Sequence, residues 1–336
     1  MRMDRDDWLA LTTEDTLEPE LAICDPHHHF WDRPRHRYVL GELRADVESG
    51  HNVVSTVFVE CGAGYRADGP ESLRPVGETE FVHAIAEAAA DDSAVGVRVA
   101  AGIVGFADLT LGDDVAAVLE AHIAASPKRF RGIRHATGYD DSDDVRNSHS
   151  KPSKHLLADE RFRVGFARLA PLGMSFESWL YHRQIPELTG LAHAFPETTI
   201  ILNHFGGPLG IGPYAGRRTE ILEQWRRDIT ELAACQNVVA KLGGLFMPIN
   251  GFGFHEWDRP PSSGELTEAG QPYHMHTIEQ FGVDRCMFES NFPVDRASTS
   301  YNVLWNTFKR LATDFSAAEK AALFHDTAAR VYRLDA

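Results

Sequence analysis

Cysteine is scarce in this chain of 336 residues. There are four, Cys24, Cys61, Cys235 and Cys286, far apart and without a CxxC pair. Three of them (Cys24, Cys61 and Cys286) sit in or beside apolar strand-like runs, which reads as buried reduced thiols rather than a disulfide framework or a catalytic nucleophile. Basic residues are also in short supply. The 33 Lys and Arg face 49 Asp and Glu, a net charge of −16, which argues against a nucleic-acid or anionic-membrane partner. No run of eighteen apolar residues exists, so a membrane-spanning helix is not expected. Acids scattered through MRMDRDDWLALTTEDTLEPE leave no secretory signal, and the expected location is the cytoplasm. No GxGxxG follows any strand-like run, which counts against a dinucleotide-binding sheet. Internal repeats and low-complexity tracts are absent, and no feature specifies an oligomer, although a homo-oligomer stays open. What is abundant is histidine, 17 residues against six lysines, and imidazole serves both as metal ligand and as proton carrier near neutral pH.

Short apolar runs alternate with amphipathic stretches. Strands are predicted at Leu21–Asp25, Val53–Glu60, Val95–Ile103, Gly132–His135, Gly173–Trp179, Thr199–His204, Asn237–Leu242 and Arg285–Ser290. Several are rich in Val and Ile and apolar on both faces, as parallel strands covered by helices must be. Helices are predicted at Glu78–Ala90, Asp113–Ala125, Asp159–Ala170, Gln184–Ala194, Arg217–Ala234, Ser298–Ala312 and Ser316–Tyr332. Eight strands in this alternation match the count and size of a single α/β (β/α)8 TIM barrel over residues 21–336, preceded by an N-terminal extension, 1–20. Two connections are too long for simple turns, Ala136–Leu157 after strand four and Gly243–His276 after strand seven. Both are expected at the C-terminal face, where barrels of this type keep their chemistry.

Three segments at strand ends carry the candidate chemistry. In Cys24-Asp25-Pro26-His27-His28-His29, strand alternation points His27 and His29 the same way and His28 the other. Two imidazoles so placed can hold one divalent ion. In Ile201-Leu202-Asn203-His204-Phe205-Gly206-Gly207-Pro208 an apolar strand ends on one histidine and breaks at Gly-Gly-Pro. The end of strand six lies across the barrel mouth from strand one, so His204 can converge on the first two. The third segment is Met287-Phe288-Glu289-Ser290-Asn291-Phe292-Pro293, ending strand eight.

Taken together these segments resemble the amidohydrolase superfamily, and within it the lactonase-like branch of the amidohydrolase-2 group. DxHxH at Asp25–His29, NHFGGP at Asn203–Pro208 and SNFP at Ser290–Pro293 stand where that group has its strand-one, strand-six and strand-eight motifs. VFVE at Val57–Glu60, GIRH at Gly132–His135, KLGG at Lys241–Gly244 and FHDTAARVY at Phe324–Tyr332 are similar in kind. The resemblance implies a hydrolase acting on a lactone or a related carboxylated or aromatic small molecule. It implies a divalent metal, zinc in the first place, held by His27, His29 and His204 with a carboxylate such as Glu60 or Glu177 completing the shell. A metal-free hydrolase and a decarboxylase are the alternatives.

One departure matters. The family's strand-eight carboxylate is Asn291 here, and an amide takes no proton from water. The base must then be Asp295, Glu60, Glu177 or a histidine, with Asn291 orienting water or a carbonyl. Asp295 has the competing reading of a helix-start acid beside Ser298 and Thr299. Candidate substrate contacts are Arg134 and His135 ending strand four, Trp179 and His182 after strand five, Lys241 ending strand seven, and Phe254, His255 and Trp257 in the loop FMPINGFGFHEWDRPPSSG. Arg134 and Lys241 suit a carboxylate. The aromatic loop suits a water-excluding lid, or else rings that merely pin a long loop.

Overall fold

The computed structural model describes residues 4–33, 36–92 and 94–334. Eight parallel strands follow one another round a sheet in chain order: β1 (Ala22–His28), β2 (Asn52–Val59), β3 (Arg98–Gly105), β4 (Phe130–Arg134), β5 (Ser175–Ser178), β6 (Ile200–Leu202), β7 (Val238–Lys241) and β8 (Cys286–Met287). Residues just beyond β8 close the ring on β1, with Asn291 N donating to His27 O at 2.9 Å and His29 N to Phe292 O at 2.8 Å. Each strand is followed by a helix: α1 (Leu40–Val47), α2 (Val76–Asp91), α3 (Val115–Ala125), α4 (Glu160–Phe166), α5 (Ile185–Ala194), α6 (Arg218–Ala233), α7 (Ser263–Phe281) and α8 (Tyr301–Leu311). The (β/α)8 barrel expected from the alternation is the architecture found.

Two helices of the barrel, besides the short N-terminal helix Arg5–Leu9, escape the sequence reading. The connection after β7 is a loop only to residue 262, after which Ser262 and Glu265 cap α7 reciprocally: Glu265 N donates to Ser262 Oγ at 3.3 Å and Ser262 N to Glu265 Oε2 at 2.7 Å. The buried face of α7 is Leu266, Gly270, Tyr273, His274, Thr277, Ile278 and Phe281. It has helical spacing, but half of it is built from residues that no apolar periodicity registers, and Pro272 interrupts it. The short helix α1, with only Leu43 and Val47 buried, is hidden for the same reason.

The barrel is plugged from below by the chain's own end. Ala328, Val331, Tyr332 and Leu334 pack against Cys24, Val57, Val59, Val104, Ile201, Val239 and Met287 inside the ring. Each such fully buried aliphatic side chain contributes roughly 1.5–3 kcal/mol. The N-terminal extension lies along the barrel wall. Trp8 Nε1 donates to Trp257 O at 2.9 Å, Thr12 Oγ1 to Pro260 O at 2.7 Å and Lys309 Nζ to Leu17 O at 2.7 Å. A two-stranded hairpin, Trp31–Arg33 with His36–Tyr38, stands at the mouth. Among the described residues no helix is long and apolar enough to cross a membrane.

Candidate active site

The strand ends bring His27 and His204 together with a third group, Glu289. One nitrogen of each imidazole and one carboxylate oxygen lie within 4.8 Å of one another. Glu289 Oε1 is 2.6 Å from His204 Nδ1, and Oε2 is 2.7 Å from His27 Nδ1. The second approach lacks hydrogen-bond alignment, so Oε2 has no hydrogen-bond partner, with Lys241 Nζ 3.7 Å away. All three side chains are buried. Burial, with Lys241 and other cations nearby, holds His27 well below the usual imidazole range, and burial does the same to His204. Both rings therefore keep nitrogen lone pairs near pH 7. Burial lifts Glu289 to about 8 despite the attraction of Lys241. Two neutral imidazoles and a carboxylate with an orphaned oxygen form a donor set that fits a zinc-type divalent ion, whose charge would favour the ionised carboxylate.

The backbone is shaped to permit this convergence. His204, Phe205 and Asn291 have φ of 51°, 58° and 55°, left-handed values that typically cost a non-glycine residue of order 1–3 kcal/mol and cluster at functional sites. The glycines of KLGG supply the space. A Cβ on Gly244 would stand 2.2 Å from His204 Nδ1, and one on Gly243 would stand 2.1 Å from Glu289 O.

His28 turns outward, as strand alternation requires. Its Nε2 pairs with Thr56 Oγ1 at 2.9 Å, and its ring meets Phe30 and Phe58 edge-on. His29 points to the mouth, its Nδ1 donating to Val59 O at 2.7 Å. It lines the cavity but stays outside the His27–His204–Glu289 cluster. Glu177, expected in the metal shell, is held below it. Lys241 Nζ lies 3.0 Å away, and Asn203 Nδ2 and Tyr332 OH both donate to its carboxylate. The carboxylate that meets the imidazoles is Glu289, two residues past the end of β8 and two before Asn291. Its place within the segment Met287–Pro293 was the signal available in the sequence.

Above the cluster opens a cavity of about 940 Å³. His204, Asn291, Arg134, Trp179 and His255 line it, joined by Trp31, Arg33, Arg146, His149 and Tyr181. Trp179 meets the His204 ring edge-on, with centroids 5.0 Å apart. Lys241 does not reach this space. It is fully buried, donates to Pro26 O at 2.8 Å and sits 3.3 Å from His27 Nδ1. His135 and His182 are turned into the wall, accepting from the backbone N–H of Leu109 and Leu209 at 3.3 Å each. Phe254 packs with Phe246, Phe252 and Trp257. The Phe246, Phe252 and Phe254 rings thus pin the loop, and its cavity face includes Met247, Pro248, Ile249 and His255.

Asn291 Nδ2 donates to Asp295 Oδ2 at 2.6 Å, and Asp295 lies fully buried behind it. Burial raises Asp295 to about 8, against the hydrogen bond from Asn291. Glu60, also buried, accepts from Arg134 Nε at 2.7 Å, while its Oε2 is 2.9 Å from His149 Nε2. Burial would raise Glu60, but Arg134 and His149 outweigh it and hold the group at about 2. Arg134 Nη1 also stands 3.3 Å from His27 Nε2. His149 was not singled out in the sequence, where it is one polar residue in a long loop.

The amidohydrolase family model matches residues 24–334. An uncharacterized protein of Sinorhizobium fredii, y4mH, is 32% identical, over 94% of this chain and 99% of that one. An L-fucono-1,5-lactonase of Burkholderia multivorans is 27% identical, over 92% and 95%. The crystal structure of a Burkholderia multivorans amidohydrolase with bound zinc superposes with a TM-score of 0.68 at 25% identity, covering 93% of this chain and 99% of that one.

Proposed function

The chain belongs to the amidohydrolase family and is a hydrolase, and on that premise we propose that it opens the ring of a small polar lactone with water. The observation that carries the reading is the His27–His204–Glu289 cluster at the floor of a cavity of about 940 Å³, roomy enough for a sugar-sized ring. The lactonase relative supports the choice of ester. His27, His204 and Glu289 would hold a zinc ion, which when bound supplies Lewis-acid polarisation of the ester carbonyl.

The remaining work falls to the chain's own groups. Asn291 gives its N–H to Asp295, which leaves its carbonyl oxygen as an acceptor at the cavity floor for a water or a ring hydroxyl. Arg134 is fixed by Glu60 and still borders the cavity. Arg33 and Arg146 are the other guanidinium groups on the wall, suited to the carboxylate that ring opening creates. Trp31, Trp179, Ile211 and Met247 supply apolar faces that displace water from the bound ring. The four cysteines are all free, which supports a cytoplasmic location.

One observation favours a metal-free variant. Lys241 Nζ and Arg134 Nη1 each stand 3.3 Å from a nitrogen of His27, so fixed cations already border the cluster. The test is hydrolysis of a panel of aldonolactones, followed by pH indicator, with zinc content measured on the same protein. Ring opening with stoichiometric zinc, lost together on chelation, is expected. Undiminished turnover in zinc-free protein selects the metal-free variant, and no cleavage of any lactone overturns the reading.

A further inference from the structure

Ring opening needs a group that accepts a proton from water and delivers one to the departing ring oxygen, and the strand-eight position that would do so carries an amide. The groups round the floor are committed elsewhere. His27 and His204 close on Glu289, and Asp295 is behind Asn291 and out of the cavity. Besides His204, three imidazoles line the wall: His29, His149 and His255. His29 is oriented by a backbone carbonyl. The ion-pair partner of His255 among the described residues is Glu256, 3.7 Å away with a largely exposed carboxylate.

His149 is different. Its Nε2 is 2.9 Å from Oε2 of Glu60, a carboxylate with no solvent exposure, and its own side chain is 41% exposed. The other oxygen of Glu60 accepts from Arg134 Nε at 2.7 Å. An ionised carboxylate only accepts hydrogen bonds, so the proton of a neutral His149 sits on Nε2 and its Nδ1 keeps the free lone pair. No hydrogen bond occupies that Nδ1 among the described residues. A buried carboxylate that fixes tautomer and orientation behind an accessible imidazole is the arrangement of a general base.

We propose that His149, oriented by Glu60, is the proton-transfer group of the hydrolysis. As the water oxygen bonds to the lactone carbonyl carbon, one water proton passes to Nδ1. As the bond from that carbon to the ring oxygen breaks, Nδ1 returns the proton to the ring oxygen, which becomes the product hydroxyl. The imidazole ends neutral, and the second water proton leaves with the acid product. This assignment rests on the lactonase reading above.

The test compares wild type, His149→Gln and His149→Ala on the lactone panel, with Tm measured for each. Glutamine keeps a hydrogen-bond donor toward Glu60 but carries no proton. Both variants are expected to lose about a hundredfold or more in kcat. KM should stay within about threefold, since ground-state binding is untouched, and added imidazole should restore part of the activity of His149→Ala. Near-wild-type kcat in His149→Gln overturns the assignment while leaving the lactonase reading standing. A wild type that opens no lactone overturns both.

Discussion

Asn291 donates from Nδ2 to Asp295 Oδ2 at 2.6 Å, so the amide at the strand-eight position is held by a carboxylate that itself never reaches the cavity. Asp295 is a positioning residue. Asp295→Asn is expected to keep kcat within about tenfold of wild type, because no group that touches substrate is removed. A loss of activity as large as that of an active-site deletion would contradict this placement.

Restoring an acid at 291 should be harmful to the fold. Asn291→Asp would face Asp295 with a second buried carboxyl, and like charges at that distance cannot both ionise cheaply. Asp295 is already raised to about 8 by burial. A carboxyl whose folded pKa lies above its unfolded value loses stability as pH rises through the interval between them. The variant should therefore lose about 1–3 kcal/mol relative to wild type, with the deficit larger at pH 8.5 than at pH 5. Thermal unfolding at the two pH values measures it.

Glu289 is the carboxylate that both imidazoles share. Glu289→Gln should bind zinc more weakly by more than the roughly 10–100-fold typical of losing an outer-shell partner. Elemental analysis after dialysis reads this without an activity assay. Retention of full zinc in Glu289→Gln alongside its loss in Glu177→Gln would transfer the role to Glu177.

Gly244 holds open the place of the His204 ring. Gly244→Ala puts a methyl group 2.2 Å from Nδ1 at a φ of 69°, so His204 must shift. A misplacement of about 1 Å can cost a hundredfold in rate. Turnover should fall by at least about that factor, and zinc content should fall with it.

His122 tests the pH response of the fold away from the site. Its Nδ1 pairs with Thr79 Oγ1 at 2.8 Å and its Nε2 with Phe106 O at 2.9 Å. Burial holds it down at about 4 against an ordinary 6.5. A histidine depressed in the folded state takes up its proton on unfolding, so stability falls as pH drops below the unfolded value and levels off near the folded one. The contribution is about 3 kcal/mol between pH 6.5 and 4. His122→Gln should show a shallower decline of Tm across that window.

The sequence alone determined the barrel, its strand order, the outward turn of His28 and the convergence of His27 with His204. Each of these follows from a local period or from chain order, which short windows reveal. Glu289 lies within the segment Met287–Pro293, but a single carboxylate at the end of an apolar run has no period of its own to distinguish it from Glu177. The tertiary structure decided between them, because which acid meets the imidazoles depends on which one Lys241, Asn203 and Tyr332 have already engaged. It also sealed Lys241 beneath the floor and turned His135 and His182 into the wall. The pairing of Glu60 with His149, 89 residues apart in the chain, joins a strand end to a loop whose path no local pattern encodes.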